Sequence, residues 1–452
     1  MLGNILIGLL LLSLVVFIHE SGHFIAARAC GVDVLAFSIG FGPILFRKKI
    51  GETEYRLSLL PLGGYCSMRG EDAFSKALDK KLDEIPKEER SFYGVSKIRR
   101  IIIAFAGPLA NYLFAVLGFT IVAAIGTSYY TSSNQIAPTY YYDTLLDSPA
   151  KKAGLKMGDR IIKIDGETTE NFDAVYEKIA LNPEKKMRFT IERDGSTFET
   201  EITPALNKDT GAGYVGFYAY IPLKIVSIIP NSHAEQIGFQ ANDCIVKIND
   251  TELLNTQDLV YFFKKNPDIK KADFSIVRNG ETITLSGEVP HYTANEMPDF
   301  GFLIEGVKVT VAGKGFFGSI AEGFIHTNKT VGDVFHSLGL LFKGINFQSA
   351  LAGPLGISNM LGESAKTGFA LSFLQGIYNI AGFASLICIS LFIMNLLPIP
   401  VLDGGIIFIT LIEIIVRRPI HPKILYYIQL VGSFLILVLA AVALWADLNR
   451  LF

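Results

Sequence analysis

An apolar stretch runs from about residue 4 to about residue 27, and it carries His19-Glu20-Ser21-Gly22-His23 inside it. Its length suits a membrane-spanning helix, because about 20 apolar residues cross a bilayer and each backbone polar group there must be satisfied internally. Residues four apart share a helix face, so both imidazoles can bind one metal ion. Glu20 is then placed to act as a base on water at that metal. Ionisable side chains at membrane depth are costly and mark function by default. The chain has only 7 His in 452 residues, so abundance does not explain the spacing.

Three more segments reach spanning length, at about 99–126, 372–397 and 424–446, with Trp445 at the end of the last, where an interfacial aromatic belongs. Half of the residues are hydrophobic and the mean hydropathy is +0.38, concentrated in these blocks. The expected fold is a polytopic α-helical membrane protein with four spans and a sizeable polar portion. A cleaved signal peptide fits the first stretch poorly, since it lacks a basic start and runs into His19 and His23 without a small-residue cleavage site. The net charge of −2 argues against a nucleic-acid partner. Cys30, Cys66, Cys244 and Cys388 are scattered, which indicates neither a disulfide framework nor a cysteine zinc cluster.

Basic residues set the orientation. Arg28, Arg47, Lys48, Lys49, Lys97, Arg99 and Arg100 flank the link between the first two spans, and Arg417, Arg418 and Lys423 lie between the last two. Both links are expected on the cytoplasmic side. Both termini and the polar region at about 127–371 are then external, which in a bacterial inner membrane means periplasmic.

The polar region repeats itself. Ser148-Pro149-Ala150 through Ile161-Ile162-Lys163-Ile164-Asp165-Gly166 recurs about 84 residues later as Ser232-His233-Ala234 through Ile245-Val246-Lys247-Ile248-Asn249-Asp250. Each copy reads as a short helix, a turn, an alternating strand, another helix and a closing hairpin. The pattern resembles the circularly permuted bacterial PDZ domain, implying two α+β PDZ domains at 128–221 and 222–308. PDZ domains capture extended peptides at a sheet edge. Tyr214-Val215-Gly216-Phe217, read with the second copy, resembles the loop that receives a terminal carboxylate. Spacers with blocked grooves, peptide capture and a substrate size filter are the readings open for this pair.

At 309–371 a helical linker is expected. Val331, Val334, Phe335, Leu338, Leu341 and Phe342 share a face, as an interfacial helix or one packed on a PDZ domain would show. His326 and His336 read as solvated. Residues 53–60 read as strand and Pro61-Leu62-Gly63-Gly64-Tyr65 as a turn, with 71–90 a solvated loop.

A catalytic zinc site needs three protein ligands and an open position. The third candidate is Asp403, in Asn395-Leu396-Leu397-Pro398-Ile399-Pro400-Val401-Leu402-Asp403-Gly404-Gly405. The first and third spans run in the same direction, so His19 and Asp403 reach similar depth. Pro398 and Pro400 break the helix there, which is tolerated only in protein or against a wet cavity. The alternative for Asp403 is a helix-end residue at the interface. Asn395 suits a hydrogen bond to the scissile carbonyl or substrate backbone, and equally one between helices.

These motifs, with Gly40-Phe41-Gly42-Pro43, Gly63-Gly64-Tyr65 and Ala106-Gly107-Pro108-Leu109-Ala110-Asn111, occur in order along the chain. Together they resemble the site-2 protease family of intramembrane zinc metalloproteases. The resemblance implies one Zn²⁺ per chain on His19, His23 and Asp403, with Glu20 catalytic. It also implies a membrane-associated β-hairpin around 40–67 and substrate contacts at Asn395, Pro398, Gly63, Gly64 and Tyr65. Cys66-Ser67 departs from the family's usual Val-Lys. The implied partners are the lipid bilayer, single-span membrane proteins such as an anti-sigma factor already trimmed outside, and remnant signal peptides. Rival readings are a zinc transporter, which should show polar groups along several spans, and an inactive PDZ scaffold, which would not keep every catalytic residue type.

Overall fold

Among the described residues four helices are long and apolar enough to cross a membrane: Gly3–Ala29, Lys97–Ile125, Phe373–Leu396 and Pro422–Asn449. They are called the first to fourth spans below. The computed structural model describes residues 2–292, 297–304, 306–340 and 353–451. These fall into two units, 1–127 with 311–452 and 128–310.

In the first unit, small residues set the distance between helices. A Cβ at Gly8 would stand 1.8 Å from the Ser358 carbonyl oxygen, and one at Gly118 would stand 2.1 Å from Ser385 Oγ. Lipid tails are as apolar as leucine, so packing and polar contacts, not apolar burial, hold spans together. Buried charges follow the same logic. Asp447, fully buried near the end of the fourth span, accepts hydrogen bonds from the backbone N–H groups of Gly353, Leu355 and Gly356. It thereby caps helix Pro354–Leu371, whose N-cap residue, Gly353, has no side chain to do so. Arg100 of the second span donates to Glu413 at 2.8 Å, and Lys97 donates to the Glu413 carbonyl at 2.7 Å.

The helix Phe316–Leu340 packs within the first unit. Val331, Val334 and Leu338 pack on Val15, Ala115, Phe119, Ala384 and Cys388, inside the membrane unit. Ser319, Gly323, Thr327 and Thr330 form a small buried face that permits the close approach. His326 and His336 are both exposed, and the His326 ring centroid lies 4.3 Å from that of Phe119. Leu341 and Phe342 lie outside the described residues.

Between the first two spans stand strands β1 (Val34–Ile50) and β2 (Thr53–Met68). Residues 36–39 of β1 pair with 54–57 on one side and with 64–67 on the other, while 44–50 pair with 53–58. Gly63-Gly64-Tyr65 is therefore strand and not turn, because Gly64 and Tyr65 pair with Ile39 and Ser38. The 71–90 stretch is not all loop either. Glu71–Asp79 is helical and buries Ala73 and Ala77, an i,i+4 pair that marks an inner face.

The 128–310 unit is built twice. Four-stranded antiparallel sheets form around Arg160–Ile164 with Met187–Arg193, and around Cys244–Ile248 with Lys271–Arg278. Each packs an apolar core, with Phe189 and Ile161 in the first and Phe274 and Phe263 in the second. Each repeats one ion pair, Arg193 with Asp159 and Arg278 with Asp243, both at 2.7 Å to a carboxylate of 1% exposure or less. Tyr214-Val215-Gly216-Phe217 belongs to the first copy, not the second. Val215 is in the first core, Phe217 pairs with Pro138, and Ala150 N–H donates to the Val215 carbonyl. The second copy has its own equivalent at Asp299-Phe300-Gly301-Phe302, where Ala234 N–H donates to the Phe300 carbonyl. Gly216 and Gly301 have φ of +94° and +79°, and Ser148 and Ser232 leave no room for a Cβ.

Candidate metal centre

The last turns of the first span carry His19 and His23, 9% and 7% exposed. They can lie against the second span because two glycines interlock. A Cβ at Gly22 would stand 2.3 Å from the Ala106 carbonyl oxygen, and one at Gly107 would stand 2.3 Å from His23 Nε2 and 2.8 Å from His19 Cε1. Any side chain at Gly107 would therefore occupy the space of the two imidazoles.

The third span stops at Leu396, as Pro398 and Pro400 require, and the chain turns through residues 397–402 before helix Asp403–Val416 begins. Asp403 thus opens its own helix and does not lie late in the third span. That position favours a carboxylate, which sits at the positive end of the helix dipole. Val401 holds φ at +86°, unusual for a β-branched residue, and such strain costs about 1–3 kcal/mol. Gly404 has no room for a side chain, since its Cβ would stand 2.3 Å from the Leu396 carbonyl oxygen.

Three side chains from these segments converge. His19 Nε2 and His23 Nε2 are 3.2 Å apart, and the Asp403 oxygens lie 3.2 Å from the first and 3.3 Å from the second. A tetrahedral zinc with bonds of about 2.0–2.1 Å has neighbouring ligand atoms about 3.3–3.4 Å apart. The nitrogen pair has that spacing, the Asp403 carboxylate turns one oxygen to each histidine, and the three side chains fit such an ion in donor type. The His23 ring is already set for it. The Ile103 carbonyl, 2.8 Å from Nδ1, can only accept, so Nδ1 carries the proton and Nε2 keeps its lone pair. Pro108, within the second span, removes a donor from the neighbouring turn and loosens the ladder there.

Glu20, half-buried on the same helix, faces the hairpin. The Cys66 N–H reaches its carboxylate, and a Cβ at Gly64 would stand 3.4 Å from Glu20 Cγ and 2.6 Å from the Ser38 carbonyl oxygen. Residues 64–67 pair with β1 along one edge, and no other strand pairs with them among the described residues. A cavity of about 300 Å³ adjoins this strand, lined by His23, Cys66, Ile103, Asp403, Ile406 and Gln429.

Asn395 ends the third span with its amide nitrogen 3.5 Å from His19 Nε2, so it too joins the group. Pro398 shapes the turn that delivers Asp403. Tyr65 looks into the hairpin, where its ring stacks on Phe41 and its hydroxyl accepts from Arg56 at 2.8 Å, and Gly63 lies over Phe41. Tyr214, Gly216 and Phe217 belong to the 128–310 unit. Sequence reasoning gave no role to Gly107, Ile103 or Asn111. An asparagine inside an apolar span was the available signal for the last.

The family model described as "Peptidase family M50" matches residues 7–439. A "Putative zinc metalloprotease" of Treponema pallidum is 41% identical over 453 residues, covering 99% of each chain. The "Regulator of sigma-E protease RseP" of Escherichia coli is 30% identical over 463 residues, covering 97% of each.

Proposed function

We propose that this chain, which belongs to peptidase family M50, the site-2 protease family, cleaves single-span membrane proteins within or near the bilayer, with His19, His23 and Asp403 holding one zinc ion and Glu20 as general base. The chain is a zinc metalloprotease with four apolar helices suited to a membrane. The observation that carries the finer reading is the convergence of two imidazoles and one carboxylate, each histidine Nε2 within 3.3 Å of an Asp403 oxygen, beside a glutamate and the strand 64–67.

Zinc, when bound, polarises the scissile carbonyl and brings the pKa of water to about 7. The side chains do the rest. Glu20 takes a proton from the attacking water and returns it to the leaving amine. Asn395 donates its amide N–H to the carbonyl oxygen as negative charge develops there. The strand 64–67 offers backbone donors and acceptors to an unwound substrate segment, which cannot leave its own polar groups unpaired in hydrocarbon. Glycine at 64 keeps that strand close to Glu20.

The two copies at 128–221 and 222–308 act as PDZ domains that exclude substrates with bulky external portions. The internal repeat and the positive-φ glycines of the two loops support this reading. Both termini and this unit face the periplasm, a reading that the basic links at 28–100 and 417–423 support. Anti-sigma-factor-like proteins and remnant signal peptides are the substrates proposed, since relatives are named for regulation of sigma E.

The test compares wild type with Glu20→Gln at equal zinc loading in proteoliposomes. One single-span reporter carries a short external tail and a second carries a folded external domain. Wild type should cleave the short-tailed reporter and the variant should lose at least about 100-fold in rate. Equal rates would remove Glu20 from the mechanism. Fast cleavage of the bulky reporter by the intact chain would remove the filter.

A further inference from the structure

Behind His19, on the side away from Asp403, lies a polar side chain that the chemistry above does not use. Asn111 of the second span is fully buried, and its Nδ2 is 3.2 Å from His19 Nδ1. Its Oδ1 is also buried and has no hydrogen-bond partner. Buried polar atoms are nearly always satisfied, so an orphaned acceptor beside a candidate metal ligand calls for an explanation. A bond merely joining two helices would leave no reason for the amide's better acceptor to go unused.

The tautomer of His19 supplies the reason. A neutral imidazole has one donor and one acceptor nitrogen. When Nε2 gives its lone pair to a metal, the proton must sit on Nδ1, and Nδ1 then needs an acceptor. Rotating the Asn111 amide by half a turn puts Oδ1 where Nδ2 now lies, 3.2 Å from Nδ1. Asn111 can therefore serve either tautomer, donating when Nδ1 is bare and accepting when Nδ1 is protonated. His23 differs, because the Ile103 carbonyl fixes its tautomer in advance.

We propose that Asn111 is a positioning residue for His19: its Oδ1 accepts the Nδ1 proton in the metal-loaded protein and holds the ring with Nε2 facing His23 and Asp403. The proposal rests on the zinc reading above. His19 is the ligand whose hydrogen bonding changes on loading, and Asn111 is the group that turns with it.

The test measures zinc affinity, not cleavage, by chelator competition on the full chain in detergent. Wild type is compared with Asn111→Leu, Asn111→Ala and Asn111→Asp. Losing an outer partner of a metal-bound histidine typically weakens metal binding 10–100-fold, so Asn111→Leu should lose roughly that factor. Asn111→Asp keeps an acceptor at the same place and should stay within about threefold of wild type, well above Asn111→Ala. Zinc-free melting temperatures of Ala and Asp variants should match, since the role concerns the ligand and not the helix contact. Wild-type affinity in Asn111→Leu would overturn the proposal. If that variant does not fold, equal zinc affinity of the Asp and Ala variants overturns it instead. Failure of wild type itself to bind zinc would sink the zinc reading, an outcome distinct from both.

Discussion

The two units hold themselves together by different means. In the 128–310 unit the interior is large and apolar, with Phe189, Phe263, Phe274 and Phe300 all less than 2% exposed. In the membrane unit many of the most buried positions are small or polar: Gly107 and Gly118 at the helix contacts, and His19, His23, Asn111, Arg100, Glu413 and Asp447 as charged or polar groups. Water drives apolar side chains inward in the first case. In the second the surrounding solvent is itself apolar, so close packing and satisfied polar groups carry the association. A membrane enzyme can then place a polar site at helix contacts that its stability already requires.

Perturbing each unit where the contrast is sharpest tests it. The largest effect is expected from Gly107→Ala. The added methyl would stand 2.3 Å from His23 Nε2. A ligand displaced by about 1 Å costs on the order of 100-fold in rate, with zinc content falling in parallel. Retained zinc and activity would show that the imidazoles have more room than the helix contact allows. Next is Phe274→Ala, which empties the second copy's core and should cost about 3–5 kcal/mol, read as increased protease sensitivity of residues 128–310 in urea. A cost under about 1 kcal/mol would show that the apolar core does not hold that unit.

The smallest effect is at the surface. Lys186 pairs with Glu201 at 2.5 Å, both exposed, and the ammonium holds the Glu201 carboxyl below its usual range. A lowered folded-state pKa stabilises above the unfolded value, and that contribution fades as the pH falls through the lowered one. Lys186→Met should therefore remove only the small contribution that an exposed pair makes at neutral pH in 0.15 M salt, and its melting temperature should converge on that of wild type as the pH falls through the lowered Glu201 pKa. A clear loss at pH 7 would mean that surface pairing matters more here than core packing.

The same contrast explains what was legible beforehand. The four spans follow from the number of apolar residues a bilayer needs, and the duplicated sheets follow from an alternating pattern repeated along the chain. The pairing of His19 and His23 follows from helical periodicity alone. Misreadings came where meaning depends on neighbours distant in sequence. The Tyr214–Phe217 loop was assigned to the copy that follows it, yet Val215 packs in the core of the copy that precedes it. The helix Phe316–Leu340 shows an amphipathic face in the sequence, but which elements Val331, Val334 and Leu338 pack against depends on the second and third spans.

What the sequence determined by itself is the chemistry on offer: two histidines on one helix face, a glutamate between them, and an aspartate after a proline break. Local rules of chain geometry are enough for that. Only the tertiary structure decided that Asp403 reaches both histidines, that Gly107 makes room for them, that Ile103 fixes His23, and that Asn111 stands behind His19 with an unused oxygen. Those relations join segments from 80 to almost 400 residues apart, and no periodicity within one segment carries the register between two packed helices.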